Sequence, residues 1–216
     1  MEVDSLALLS TAYFAPIEYF RAIEHNKVVE IESFENYQKQ SYRTRCHIYS
    51  ANGLLVLTIP IKRQNTLGDT THKVPISNIL IDYSKPWLLQ HIRALEAAYG
   101  NSPFFEYYKD DIFAVLHRKE ESLLKLNTDL TVLICKLLSI TTKITYSTKY
   151  TESCKLNVLD LRSSIHPKLK ERQVYYTEKP YYQVFSSQQG FIPNLSILDL
   201  LFNEGPNAIS FLYIDD

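Results

Sequence analysis

Cations and aromatic residues crowd into one short segment of an otherwise nearly neutral chain. Residues 37–49, YQKQSYRTRCHIY, place Lys39, Arg43, Arg45 and His47 among tyrosines. Arginine binds phosphate or carboxylate through paired hydrogen bonds, lysine adds a point charge, and tyrosine rings stack on sugars or bases. The pattern predicts either a face that binds an anionic ligand or a solvated strand face whose charges are balanced by nearby acids.

An extended conformation would give this segment two distinct faces, because side chains alternate along a strand. Tyr37, Lys39, Arg43 and Arg45 then share one face, and Tyr42 lies on the other. We expect the three cations to hold a phosphate group and the two tyrosines to orient a sugar. The ligand predicted for this face is a nucleotide or a sugar nucleotide.

A histidine in the helical part of the chain is the candidate for proton transfer. His91 shares a helix side with Trp87 and Leu95. There it acts either as a general base or as a structural histidine partly buried in the core. We place the ligand cleft where residues 37–47 meet the helices predicted over residues 87–105.

No sequence motif points to a metal, a cofactor or a catalytic nucleophile. The six histidines lack the close spacing of zinc ligands, the three cysteines contain no C-x-x-C pair, and five glycines build no phosphate loop. Cys46, between Arg45 and His47, is either a stabilised thiolate or a small inward-facing residue. We therefore predict no metal site, and the cofactor stays unknown.

Length and charge bound the class of protein. The chain has 216 residues and a net charge of −1, which fits one domain over residues 1–216 and argues against a nucleic-acid partner. No apolar run is long enough to span a membrane, and the acidic N-terminus is unlike a signal peptide. An odd number of cysteines without a disulfide pattern favours a cytoplasmic location.

The first part of the chain predicts a sheet. SLALLSTAYF and KVVEIES have the composition of strands, and a helix over PIEYFRAIEHN separates them. Strand–helix–strand units usually pair their strands in parallel. Asn52-Gly53 then joins two strand-like runs as a hairpin. Together these elements predict an N-terminal mixed sheet.

The remainder is predicted to be mainly helical. Apolar periodicity predicts helices over residues 85–100, 103–118 and 120–139. Ser84 is expected to cap the first of them, KITYST returns as a strand, and residues 150–180 lack regular structure. A short final helix begins at a capping box formed by Ser196 and Asp199. The fold class is therefore α/β or α+β, with the mixed sheet followed by a helical half and a tail that packs back.

Five blocks of this sequence together resemble the WbqC-like protein family. They are YFAPIEYF, ENYQKQSYRTRCHI, ANGLLVLTIPI, WLLQHIRALEAAYGNSPFFEYY and GFIPNLSILDLLFNEGPNAISFL, in the family's order and over essentially the whole chain. The family pattern matches Tyr37, Lys39, Tyr42 and Arg45, with Thr44 in place of the usual asparagine. The resemblance thus covers most of the predicted ligand-binding segment.

The same pattern matches two asparagines of the tail, Asn194 and Asn203. Amide side chains discriminate sugar hydroxyls, so both residues are candidates for a ligand cleft. The alternative is that the tail is a capping and packing device.

The resemblance implies a role in the biosynthesis of O-antigen and related surface polysaccharides. It further implies a cytoplasmic transferase that adds a glycyl or other aminoacyl group to an amino sugar, but it supplies no mechanism. The alternative is a non-catalytic module that binds a sugar nucleotide or a partner enzyme of the same pathway.

Overall fold

A computed structural model describes residues 6–62, 74–152, 158–169 and 175–213. The strands are β1 (Leu6–Ser10), β2 (Val28–Glu32), β3 (Arg45–Ser50), β4 (Gly53–Thr58), β5 (Lys143–Tyr146) and β6 (Val158–Asp160). Four of them form a parallel sheet in the order β5-β2-β1-β6. Strands β3 and β4 pair as a separate antiparallel sheet. The predicted class, α/β or α+β, is confirmed as mixed α/β, and the predicted mixed sheet resolves into these two sheets.

Helix α1 (Ile17–His25) connects β1 to β2 and explains their parallel pairing. Pro16 precedes the helix with a φ of −68°, which suits a helix start. Asn26 ends it with extended backbone, and its N–H donates to the carbonyl of Ile23. The strand–helix–strand unit predicted from the sequence is therefore confirmed.

The β3–β4 hairpin forms where the sequence predicts it, with a turn displaced by one residue. Ser50 pairs with Gly53, so Ala51 and Asn52 form the turn. Gly53 has a φ of +93°, a conformation in the left-handed region that favours glycine. The asparagine–glycine signal therefore marks the hairpin correctly, although the glycine belongs to the strand.

Residues 37–44 are not a strand. They form turns and bends, and Gln40 has a φ of +58°, so β3 begins only at Arg45. The prediction of an extended segment with two alternating faces is wrong here because tertiary contacts hold the loop. The N–H of Tyr13 donates to the carbonyl of Tyr42, and the amide of Asn127 donates to the carbonyl of Arg43.

The helical half follows the predicted periodicity closely. Its helices are α2 (Trp87–Tyr99), α3 (Phe105–His117), α4 (Leu123–Leu137), α5 (Ser186–Gln189) and α6 (Ile197–Glu204). Pro86 occupies the N-cap position of α2, so the predicted cap at Ser84 is wrong. None of the described helices is both long and apolar enough to cross a membrane.

The tail packs back onto the N-terminal part of the chain. The N–H of Ile197 donates to the carbonyl of Ala15, and the N–H of Ile17 donates to the carbonyl of Leu195. The hydroxyl of Ser196 caps α6 by accepting from the N–H of Leu198. These contacts place the turn before α6 beside the start of α1.

Candidate functional site

A cavity of about 850 Å³ opens at the carboxyl edge of the parallel sheet. The loops that follow β2, β5 and β6 line it, and β1 lies between β2 and β6. In parallel α/β sheets, ligands bind at this edge, where connections leave a central strand on its two sides. The residues lining this carboxyl-edge cavity are Phe34, Glu35, Asn36, Tyr37, Gln38, Lys39, Arg43, Tyr150, Asp160, Arg162 and Ser163.

The first charged pair of the cavity joins Arg43 to Glu35. The Nε of Arg43 donates to Oε1 of Glu35 at 2.8 Å, and its Nη2 donates to Oε2 at 2.5 Å. The guanidinium also donates to the side chains of Ser10 and Gln38. Both side chains of the pair are nearly fully buried. Because a buried charge needs a partner, Glu35 is what draws Arg43 inward from its loop.

The second charged cluster surrounds Arg162, just after β6. Its Nε and Nη2 donate to the two carboxylate oxygens of Asp160 at 2.9 and 2.6 Å, and its Nη1 donates to Glu32 at 3.3 Å. Glu32 is fully buried and also accepts hydrogen bonds from Ser147 and the N–H of Thr151. This network fixes the guanidinium beside the cavity.

Ser10, at the end of β1, links the two clusters. Its hydroxyl lies 2.7 Å from Nη2 of Arg43 and 3.1 Å from the carbonyl oxygen of Arg162. Both guanidinium groups keep N–H groups that these bonds do not use, on Nη1 of Arg43 and on Nη1 and Nη2 of Arg162. The cavity therefore combines fixed donors with fixed carboxylates.

Burial and hydrogen bonding oppose each other at Asp160. Burial raises the pKa of this carboxyl, but hydrogen bonds from Arg162 outweigh it, so that the pKa lies below its ordinary value. The same bonds raise the pKa of Arg162. Both groups are therefore charged at neutral pH, and Asp160 is suited to accept hydrogen bonds rather than to remove a proton.

Two aromatic residues of the cavity lining are exposed. Phe34 is 40% exposed and Tyr150 is 54% exposed, although large apolar rings are usually buried. The guanidinium carbon of Arg162 lies 5.0 Å from the ring centroid of Tyr150. Exposed rings above a polar cavity can stack on the flat face of a base or a sugar.

The structure divides the predicted ligand-binding residues among several places. Tyr37, Lys39 and Arg43 line the carboxyl-edge cavity. Tyr42 and Asn194 line a second cavity of about 200 Å³. Arg45, Asn203 and the predicted base His91 line neither cavity.

His91 lies in the core, where it contacts Tyr13 and Trp87. It is 4% exposed, and its Nδ1 is 2.9 Å from the hydroxyl of Tyr13. Burial lowers its pKa to about 4. Neither cavity is lined by a residue of the 87–105 helices, and the cleft expected beside them stays a prediction. Catalysis by His91 stays a prediction.

The two other residues lie in packed surroundings. Arg45 is half-buried on β3 opposite Thr58. Asn203 is buried in α6, where its amide donates to the carbonyl of Asp199 at 2.7 Å. Asp199 itself accepts from the hydroxyl of Tyr181 at 2.6 Å and does not bond back to the helix start as a capping box requires.

Cys46 is fully buried, and burial raises the pKa of its thiol well above the ordinary value. It is therefore the small inward-facing residue of the two alternatives. No group of three or more histidine, cysteine, aspartate or glutamate side chains in the described ranges is arranged to hold a metal ion.

Sequence reasoning missed most of the acidic and aromatic lining. Glu35 was covered only as one of the nearby acids that could balance the strand face, and Asp160 and Arg162 lay in a region predicted to lack regular structure. The prediction for residues 158–160 is wrong, since they form β6. In the stretch NVLDLR, apolar residues are followed by an acid and a cation. This pattern is the sequence signal that marks the end of the strand.

Comparison with known proteins identifies the family. The model of the WbqC-like protein family matches residues 11–175 and 168–211. This chain belongs to the WbqC-like protein family. It is 27% identical over 232 aligned residues to "Uncharacterized protein Rv1507c" of Mycobacterium tuberculosis (strain ATCC 25618 / H37Rv), covering 97% of this chain and 98% of that protein. No solved structure matches significantly. The residues of both cavities fall within the span matched by the WbqC-like model.

Proposed function

We propose that this WbqC-like protein is a cytoplasmic transferase of surface-polysaccharide biosynthesis. Its substrate is an amino sugar carried on a nucleotide, and the group that it transfers to the sugar's amine is an aminoacyl group such as glycyl. The observation that carries the proposal is the lining of the carboxyl-edge cavity, which brings Lys39 and Arg162 together with Asp160 and Glu35.

A ligand with both charges fits this lining. The unused N–H groups of Arg162 and the ammonium of Lys39 suit the phosphates of a nucleotide. The carboxylates of Asp160 and Glu35 suit the protonated amine of an amino sugar. Each carboxylate is paired with an arginine but keeps further acceptor capacity, so a ligand that carries an amine as well as phosphates can use both kinds of group.

Size and shape support a sugar nucleotide in particular. The volume of about 850 Å³ lies within the usual range of small-molecule sites, roughly 300–1,000 Å³. Phe34 and Tyr150 are exposed rings of the lining, on which a base or a sugar ring can stack.

A non-catalytic module is the second candidate, and one observation favours it. Arg43 is committed to Glu35, Arg162 is committed to Asp160, and the lowered pKa of Asp160 makes it a poor proton acceptor. A protein that only binds a sugar nucleotide, or presents it to a partner enzyme of the pathway, needs no base.

Calorimetric titration with UDP, UDP-glucose and UDP-glucosamine tests the binding step. We expect UDP-glucosamine to bind most tightly, since only its amine reaches the carboxylates. Lys39→Ala and Tyr150→Ala should each weaken binding about five- to tenfold, the equivalent of roughly 1–1.4 kcal/mol. The matched surface changes Lys85→Ala and Tyr107→Ala should leave it unchanged. Equal affinity for all three ligands, or equal loss in the control variants, would contradict the proposed site.

Mass spectrometry of the sugar nucleotide separates the transferase from the module. The wild-type protein is incubated with UDP-glucosamine and an activated glycyl donor such as glycyl-adenylate. A glycyl adduct on the sugar that is lost in Lys39→Ala supports the transferase. Tight binding of the sugar nucleotide without any adduct supports the module.

A further inference from the structure

The second cavity differs from the first in its chemistry. It forms between β3, the segment after β6 and the turn before α6. Its polar lining includes His47, His166, Ser164 and Asn194, and apolar side chains such as that of Leu169 complete it. A hydroxylated ring has hydroxyls at its edge and C–H groups on its faces. A lining in which hydrogen-bonding groups alternate with apolar surface is complementary to such a ring.

The imidazole of His166 has a defined tautomer. Its Nδ1 accepts a hydrogen bond from the backbone N–H of Lys168 at 3.2 Å. In a neutral ring the proton must then lie on Nε2, which becomes a donor. Burial lowers the pKa of His166, and Arg43 and Lys168 lower it further, so the ring is neutral at pH 7.

His47 supplies the complementary group. Its ring packs edge-on against Tyr42, with ring centroids 5.4 Å apart. Burial and the charge of Arg45 lower its pKa, and within the described ranges no residue forms a hydrogen bond with its ring nitrogens. A neutral imidazole both donates and accepts, as a hydroxyl does.

Asn194 is held in place by the start of α1. It has a φ of +53°, and its Oδ1 accepts the N–H of Glu18 at 3.0 Å. This bond fixes the orientation of the amide and leaves the Nδ2 group to donate elsewhere. Glu18 is the acidic residue among the described lining residues, and its carboxylate can accept hydrogen bonds from hydroxyl groups.

We propose that this second cavity binds an uncharged hydroxylated ring, a sugar or cyclic polyol, through His47, His166 and Asn194. Its volume of about 200 Å³ equals the space of about seven water molecules at ~30 Å³ each, which suits one ring and is too small for a nucleotide. The proposal does not depend on what the carboxyl-edge cavity binds.

Residues close together in the chain line the two cavities. Arg43 and Arg162 line the first, whereas their neighbours Tyr42 and Ser164 line the second. A much smaller cavity, lined by Tyr42 and by both arginines, lies between them. The small cavity thus shares Tyr42 with the second cavity and both arginines with the first, so the two sites are neighbours.

Histidine ring resonances report directly on this site. Protein carrying ¹³C-labelled histidine is titrated with glucose, N-acetylglucosamine and inositol, and the Cε1–H signals are followed by NMR spectroscopy. We expect saturable shifts of the His47 and His166 signals. His91 is buried in the core, His117 is exposed on α3, and neither lines a cavity. Their signals should therefore stay in place.

A pair of variants makes the result specific. His166→Ala should lower the affinity of the binding ring about fivefold or more, the equivalent of one lost hydrogen bond, and His117→Ala should not. Unshifted His47 and His166 signals at the solubility limit of all three probes overturn the proposal. So do equal shifts of every histidine, or shifts produced by acetate or glycine but not by the sugars. Calorimetry with sugar nucleotides that shows no binding would remove the proposed function and leave this result intact.

Discussion

The buried pair of Arg43 and Glu35 makes a sharp test of the site's architecture. We consider the change Glu35→Gln, which keeps the size of the side chain and removes its charge. Arg43 is 2% exposed, so after the change its guanidinium is a buried cation without its anionic partner. Ser10 and Gln38 still accept hydrogen bonds from it but carry no compensating charge.

The cost follows from this burial. Removing one partner of a buried ion pair destabilises a protein by about 3–5 kcal/mol. For a chain of this size, 1 kcal/mol shifts the melting temperature by roughly 2–4 °C, so that the expected decrease is roughly 6–20 °C. The exposed helical pair of Lys125 and Asp129 is the control. Asp129→Asn should cost only about 0.3–0.5 kcal/mol, since solvent screens such pairs.

Urea unfolding followed by circular dichroism gives the free energy of unfolding for each variant. A double variant, Arg43→Met with Glu35→Met, should recover much of the loss, because it leaves no charge buried alone. If Glu35→Gln costs no more than Asp129→Asn, the pair is solvated and the proposed structure of the cavity wall is refuted.

Two further predictions concern the tail and its packing. Gly205→Ala should destabilise the protein by about 1–3 kcal/mol more than Gly190→Ala in urea unfolding. Both glycines have a positive φ, but a Cβ at 205 would lie 2.5 Å from the ring of Phe104, whereas a Cβ at 190 meets nothing within 4 Å. Equal losses of unfolding free energy in the two variants would contradict this packing of Gly205 against Phe104. Burial raises the pKa of Asp199 from 3.8 to about 6, so the folded state binds its proton more tightly than the unfolded state does, and the free energy of unfolding should fall by about 2 kcal/mol as pH rises from about 4 to 6. Thermal unfolding across this range should show the decrease in the wild type and not in Asp199→Asn, and an unchanged pH profile in the variant would refute this assignment.

Local sequence determined most elements of the fold. The helix after Pro16, the hairpin at Gly53 and the helices that include Trp87 and Leu123 follow from patterns within a few residues of each position. Such patterns reflect the backbone geometry and the periodic burial of one segment, so they can be recognised without knowledge of distant contacts.

Only part of the candidate site could be predicted from the sequence. Tyr37, Lys39 and Arg43 were recognised from their composition and do line the carboxyl-edge cavity. Their expected arrangement on a strand was wrong, because Arg43 pairs with Glu35 across a turn. A strand prediction considers neighbours along the chain, and it cannot weigh the large cost of leaving a charge unpaired in the interior.

Tertiary structure alone brought Arg162 to this place. It follows β6, a strand of three residues that pairs with β1 across more than half the chain. The same long-range pairing sets the sheet edge at which the carboxyl-edge cavity forms. Sequence determined which side chains are available for binding, whereas the parallel pairing of distant strands decided which of them face one ligand, since that proximity exists only after the sheet has formed.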